Sequence, residues 1–269
     1  MTTKVAIHGA GGRMGHRLIA LGTAADGIDV VAAIDSGKNP KCGQDAGTLA
    51  GVGDIGVPLS AEWPEAVDAV IDFSVPEATD ALIAECVARG FPLVFATTGL
   101  SPQQEAAIAE ASQTIPIVKA ASMSTAVNLT MKLTEIAATA LKDHPTGADV
   151  EILERHHRFK EDSPSGTALA FGKIVSQAMG QSNEQHGRSG RPGARPHDEI
   201  GYHAIRTGDN PGEHTIVFGL LGETIELRVA ATNRDCYAQG AFQAAAWLKG
   251  KAAGLYNMQD VLGLNSIGA

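Results

Sequence analysis

Val5-Ala6-Ile7-His8-Gly9-Ala10-Gly11-Gly12-Arg13-Met14-Gly15 is the stretch that decides the fold. A short apolar run, Val5 to Ile7, enters a turn made almost wholly of small residues, and a helical pattern from about Gly12 to Ala24 leaves it. The turn does not fit G-x-G-x-x-G, because position 14 is Met. It fits G-x-x-G-x-x-G through Gly9, Gly12 and Gly15. The physics is the same in either spacing: small residues let the backbone approach a pyrophosphate, and the helix presents unpaired N–H groups and the positive end of its dipole. A glycine-rich turn alone is often only a tight turn. Its place between a strand and a helix is what points to a dinucleotide.

Further apolar runs follow at Ile28 to Ile34, Ala69 to Phe73, Leu93 to Ala96 and Ile117 to Ala121. Between them, Glu77 to Arg89 and Pro102 to Ser112 read as helices with Pro at or near the first turn. Strands without polar alternation, separated by helices, predict an α/β, Rossmann-like domain with a parallel sheet covered on both faces. Asp35 closes the second strand, where a carboxylate accepts hydrogen bonds from the adenosine ribose and repels a 2′-phosphate. The plainer alternative is an Asp that starts the turn before Ser36-Gly37. Two later strand ends, Asp72 to Glu77 and Ala96-Thr97-Thr98-Gly99, are placed to line the nicotinamide side, although each also suits an ordinary loop.

The second half changes pattern. A helix is expected over Ala126–Lys142, then a strand from about Asp149 to Glu154, a helix from about Thr167 to Met179, and strands at Glu199–Arg206, Glu213–Leu220 and Thr224–Ala231. Gln181 to Pro196 reads as a polar loop. A final helix, Asp235 to Lys251, carries Phe242, Ala246 and Trp247 on one face and returns to the first domain. These elements predict an α+β domain with a largely antiparallel sheet. The chain then divides into a dinucleotide domain, residues 1–124 and 236–269, and a second domain, residues 125–235.

Bulk properties limit the function. With 269 residues, 44% hydrophobic and 19% charged, the chain has the composition of a globular protein. No run of about 18 apolar residues and no leader pattern occurs, so a cytoplasmic protein without a membrane span is expected. The three cysteines are far apart, without CxxC or zinc spacing, which predicts reduced thiols and no metal. A net charge of −9 disfavours nucleic acid and anionic membranes as partners. An acidic chain still binds an acidic substrate where cations are concentrated.

Arg155-His156-His157-Arg158-Phe159-Lys160 is such a place, with five of its six residues able to carry positive charge. If the strand continues extended, His156, Arg158 and Lys160 share a side. Beyond it, Ser165 is a candidate helix N-cap, and the free N–H groups of Gly166 and Thr167 form an anion site. The competing reading is a solvated basic loop.

Glu154 to Lys160, followed by Ser163-Pro164-Ser165-Gly166-Thr167-Ala168, resembles the signature of the 4-hydroxy-tetrahydrodipicolinate (dihydrodipicolinate) reductase family. Gly9 to Gly15, Asp72 to Glu77, Thr97-Thr98-Gly99 and the segment from Ile200 to Thr215 match in order along nearly the whole chain. The resemblance implies NAD(P)H-dependent reduction of 4-hydroxy-tetrahydrodipicolinate to tetrahydrodipicolinate in lysine and diaminopimelate biosynthesis. It implies NADH or NADPH held by Gly9, Ala10, Gly11, Gly12, Arg13, Met14 and Asp35, by Ala96, Thr97 and Thr98, and by Ala120, Ala121, Ser122 and Met123. It further implies His156 and Lys160 as the proton-handling pair, His157 as a substrate contact, Gly166 and Thr167 as carboxylate ligands, domain closure, and a homotetramer. The chain departs from the family pattern at Phe159, where many members have His. It departs again at Ser122-Met123 for a common Asn-Phe, at Ala126 for a Gly, and at Ser36 for the Arg of some members. Asp35 followed by Ser36 favours NADH, or tolerance of both cofactors, with Lys38 nearby. A nucleotide-sensing regulator would need the glycine turn and Asp35 but has no use for His156 and Lys160. A semialdehyde dehydrogenase would need a nucleophilic Cys, and neither Cys86 nor Cys236 has a persuasive setting.

Overall fold

The computed structural model describes residues 2–267. In chain order the strands are β1 (Thr3–His8), β2 (Ile28–Ile34), β3 (Leu59–Ser60), β4 (Ala69–Asp72), β5 (Leu93–Phe95), β6 (Pro116–Lys119), β7 (Asp149–His156), β8 (Asn183–His186), β9 (Glu199–Arg206), β10 (Glu213–Leu220), β11 (Glu223–Ala230) and β12 (Gly254–Tyr256). The helices are α1 (Arg13–Ala24), α2 (Ala46–Ala50), α3 (Thr79–Arg89), α4 (Pro102–Ala111), α5 (Thr125–Leu141), α6 (Gly166–Met179), α7 (Asp235–Leu248) and α8 (Met258–Val261). They form two compact units. One contains the chain up to Thr125 together with Arg234–Gly263, the other Ala126–Asn233 and the residues from Leu264.

The first unit is built on a seven-stranded sheet, ordered β12-β6-β5-β4-β1-β2-β3, with every pairing parallel. Strands β1 and β4 show why the apolar runs lack alternation. Val5, Ile7, Ala69 and Ile71 enter one layer with Leu18 and Ile19 of α1 and Phe242 and Leu248 of α7. Ala6 and Val70 enter the other, with Leu82 of α3 and Ile108 of α4. Successive side chains point to opposite faces, so helices on both faces bury every position. Each fully buried Leu or Ile contributes roughly 1.5–3 kcal/mol. The strand order reverses between β1 and β4, where open α/β sheets bind their ligands beyond the carboxyl ends of the strands.

Helix α7 belongs to this unit, and Phe242 and Trp247 pack into its apolar layer as expected, whereas Ala246 does not. Ala238, Ala241, Phe242, Ala245 and Leu248 are buried, following the i, i+3, i+4, i+7 stripe, and Ala246 is exposed. Nor is α7 the last element, because β12 adds to the sheet beside β6 through Leu255 and Ile117.

The second unit has a five-stranded sheet, ordered β11-β10-β7-β9-β8. Strand β10 runs antiparallel to β7 and β11, whereas β9 is parallel to β7 and β8. The sheet is therefore mixed, which corrects the largely antiparallel expectation: α6 links β7 to the β8–β9 side as a crossover. Val150, Ile152, Ile200, Ile216 and Phe218 pack on one face against Phe171 and Val175 of α6 and Ala138 of α5. The opposite face leaves Leu153 and Ile205 exposed. Strand β8 lies inside the segment expected to be a loop, held by pairing with β9.

Candidate active site

In the first unit a cavity of about 1250 Å³ opens at the ends of β1, β2, β4 and β5. Gly9 adopts φ +76°, and a Cβ there would lie 2.8 Å from the Phe73 carbonyl oxygen, so only glycine turns the chain here without displacing the β4 loop. Asp35 is tied to that turn. Its Oδ2 accepts a hydrogen bond from the Gly11 N–H at 2.7 Å, and its Oδ1 accepts from the Ser36 N–H at 2.8 Å and Asn39 Nδ2 at 3.1 Å. Main-chain donors, the start of α1 and a carboxylate at the β2 end fit the pyrophosphate and ribose of a dinucleotide.

The structure brings most of the sequence-predicted cofactor residues to this cavity: Gly9, Gly11, Gly12, Arg13, Met14, Asp35, Ala96, Thr97 and Thr98 all line it. Ala10 does not, because its side chain is fully buried beneath the turn. Ala120, Ala121, Ser122 and Met123 also lie outside its lining, and the Met123 side chain is buried in the apolar layer with Ala238 and Ala241. The cavity is also lined by His8 and Trp63, which sequence reasoning missed, and His8 is held by the expected strand-end residue Asp72. Asp72 is wholly buried and accepts from Thr97 Oγ1 at 2.6 Å, with His8 Nδ1 2.7 Å from its other oxygen. His8 stacks on Trp63, ring centres 5.9 Å apart. The signal for His8 was positional: it ends β1, next to the strand ends at Asp72 and Thr97 that were expected.

The second unit assembles charged side chains by strand register. Glu154 and His156 stand two apart on β7 and so share the face that buries Val150 and Ile152. Antiparallel pairing puts His214 of β10 opposite Glu154, and parallel pairing puts Arg206 of β9 opposite His156. Glu154 thereby meets four donors. His156 Nδ1 is 2.6 Å away, Arg206 Nη1 and Nη2 are 2.7 Å away, one at each oxygen, and the Ser165 N–H is 3.1 Å away. Ser165 caps α6 as expected, accepting from the Ala168 N–H at 3.2 Å, and its Oγ lies 3.0 Å from His214 Nε2. The Gly166 and Thr167 N–H groups precede the first intrahelical bond, from the Leu169 N–H to the Ser165 carbonyl, and so have no partner within the helix.

The extended continuation of the basic run is not observed. Strand β7 ends at His156, whose carbonyl accepts from the Thr207 N–H, and a turn follows in which the Lys160 N–H donates to the His157 carbonyl. Arg155 points to the opposite face and pairs with Glu213 at 2.5 Å. Arg158 is exposed, whereas Lys160 is half-buried and 2.8 Å from Asp162. The His157 Nδ1 is buried without a hydrogen-bond partner among the described residues.

Burial alone would raise the Glu154 carboxyl, but hydrogen bonds from Arg206 and His156 overcome it and hold the group below the ordinary carboxylate range. Burial pushes His156 down. Glu154 opposes that shift, and the charges of Lys160 and Arg206 add to it. Burial, and then the neighbouring charge of His156, lowers His214 to about 4, so it stays neutral at physiological pH. Burial raises the thiols of Cys86 and Cys236, away from the range of a reactive thiolate.

Comparison with known proteins covers both units. Residues 3–123 match the family model described as the N-terminus of dihydrodipicolinate reductase, and residues 126–262 match the one for its C-terminus. A 4-hydroxy-tetrahydrodipicolinate reductase of Rhodopirellula baltica is 57% identical over 267 residues, covering 96% of this chain and 95% of the relative. One from Alkalilimnicola ehrlichii is 47% identical over 270 residues, covering 98% and 100%. Among solved structures, dipicolinate-bound dihydrodipicolinate reductase from Paenisporosarcina sp. TG-14 superposes with a TM-score of 0.76 at 21% identity, covering 97% of this chain and 99% of that one. An amine dehydrogenase from Mycobacterium smegmatis follows with a TM-score of 0.61 at 13% identity, covering 96% and 95%. At those identities the likeness speaks for the fold.

Proposed function

The chain belongs to the dihydrodipicolinate reductase family, and from that premise we propose that it reduces 4-hydroxy-tetrahydrodipicolinate to tetrahydrodipicolinate in lysine and diaminopimelate biosynthesis. It is a pyridine-nucleotide-dependent oxidoreductase. The observation that carries the assignment to particular side chains is the buried cluster of Glu154, His156, Arg206 and the Ser165-capped start of α6.

Bound through Gly9, Gly11 to Met14, Asp35 and Ala96 to Thr98, the reduced nicotinamide supplies the hydride. Ala10 and the loop from Ala120 to Met123 complete the proposed cofactor set, with Ala10 and Met123 contributing main chain. The remaining chemistry falls to the second unit. The N–H groups of Gly166 and Thr167 bind a ring carboxylate, and His157 offers a further polar contact. His156 and Lys160 hold and deliver the proton required beside the carbon that is reduced, a role typically worth ~10²–10⁴-fold in rate. The test mixes the protein with reduced nicotinamide nucleotide and the aldolase-derived dicarboxylate. Loss of the reduced-nicotinamide absorbance is expected, and none would overturn the assignment.

Asp35, held by Gly11 and flanked by Ser36 and Asn39, supports use of NADH, or of both nucleotides, rather than a strict preference for NADPH. Steady-state kinetics with each cofactor decide this. We place the dinucleotide domain at residues 1–124 and 236–269 and the substrate and tetramerisation domain at 125–235. The apolar side chains on the open face of the second sheet support a homotetramer, which sedimentation measures directly. Among the described residues no helix is long and apolar enough to cross a membrane, in keeping with the proposed cytoplasmic location.

A further inference from the structure

We propose that Glu154 is a positioning residue for this reaction: its carboxylate fixes the orientation and tautomer of His156 and ties that imidazole to the carboxylate-binding end of α6. The proposal rests on the reading of His156 as a proton-handling group.

The argument begins with donors and acceptors. An ionised carboxylate only accepts. His156 approaches it through Nδ1 at 2.6 Å, so the neutral imidazole must carry its proton on Nδ1 and keep the Nε2 lone pair for chemistry. Proton exchange is thereby confined to Nε2. Glu154 does not itself need the His156 charge, because Arg206 spans both of its oxygens at 2.7 Å. His156 is therefore free to gain and lose a proton while its anchor stays in place.

The same carboxylate connects the other parts of the site. Its Oε1 accepts the N–H of Ser165, the residue whose hydroxyl caps α6, so the helix end offered to the substrate carboxylate is set relative to the imidazole. Arg206 Nη2 also donates to the Asp162 carbonyl at 2.6 Å, and the Asp162 side chain pairs with Lys160 at 2.8 Å. Both members of the proposed proton-handling pair thus trace back to one acid. Glu154 is only 2% exposed, so water does not compete for these bonds. His214 stands edge-on to the His156 ring, centres 5.3 Å apart, and keeps it from swinging away.

The test uses the full chain and separates positioning from mere stabilisation. Histidine nitrogen NMR of the wild-type protein should show neutral His156 protonated on Nδ1. Glu154→Gln should lower kcat by ~10²-fold, at the low end of what proton transfer contributes, with nucleotide affinity unchanged. In a His156→Ala background the same substitution should cost less than about threefold, because its effect passes through the missing imidazole. A neutral imidazole protonated on Nε2 would overturn the proposal, and so would equal losses in both backgrounds. If Glu154→Gln does not fold, the wild-type tautomer alone decides. Full turnover by His156→Ala would instead remove the proton-handling reading, an outcome distinct from either of these.

Discussion

In the first unit the cavity is built around a glycine turn, a helix start and strand ends, with the Asp35 carboxylate tied to that turn. In the second unit the corresponding surface rests on buried charged side chains that neutralise one another around Glu154. The two arrangements fail in different ways. A surface of backbone dipoles is indifferent to pH and fails when a side chain is added where there is no room. A network of ionised groups tolerates added bulk but fails when a proton or a partner is removed.

The largest test of that contrast is Lys160→Ala. It should lower turnover by ~10²–10⁴-fold, about 3–5 kcal/mol, while nucleotide affinity measured by fluorescence stays near wild type. Full turnover would remove Lys160 from the mechanism. Acid should next weaken the second unit selectively. His214 binds a proton near pH 6.5 when unfolded but only near 4 when folded, so stability is complete above 6.5 and falls as pH drops towards 4. The loss approaches about 3 kcal/mol, and His156 shifts in the same direction. Urea unfolding followed between pH 7 and 4.5 should show it, and His214→Gln should flatten it.

Added bulk gives the reverse test. A Cβ on Gly15 would lie 2.5 Å from Ala10 Cα, so Gly15→Ala should cost about 1–3 kcal/mol and weaken nucleotide binding. Gly166→Ala adds a Cβ that meets nothing within 4 Å and should leave the melting temperature unchanged. Equal losses would break the comparison. A smaller change is expected at Asp35, where Asp35→Ser removes the carboxylate that would repel a 2′-phosphate. The NADPH to NADH ratio of kcat/KM should rise about tenfold, or about 1.4 kcal/mol.

How much of this was legible from the chain depends on the range of the forces involved. Val5 to Ile7, Ile28 to Ile34 and Ala69 to Ile71 announce a sheet buried on both faces because every position along them is apolar. Ser165 announces a helix start because capping is local. Strands β3 and β12, of two and three residues, carry no period to read. Strand β8 is polar and depends on its pairing with β9, beside a loop where Arg188 and Arg195 grip Glu151. The turn after His156 was hidden because Thr207 and Gly208, some fifty positions on, provide its backbone partners. Glu154 stood within the quoted signature without a role. Its partners come from β7 itself, from β9 and from the cap of α6, and the register of one mixed sheet helps bring them together.

The return of Arg234–Gly263 to the first unit has a consequence for biosynthesis. A ribosome releases β1 to β6 long before α7 and β12, so the nascent sheet waits with β6 as an unpaired edge and with Val5, Ile7 and Ile71 lacking their Phe242 and Leu248 cover. The whole intervening segment must emerge before that layer closes. Truncation shortly after Asn233 would thus deprive the nucleotide fold, rather than its neighbour, of its missing wall, and would leave a sticky apolar sheet for chaperones to shield.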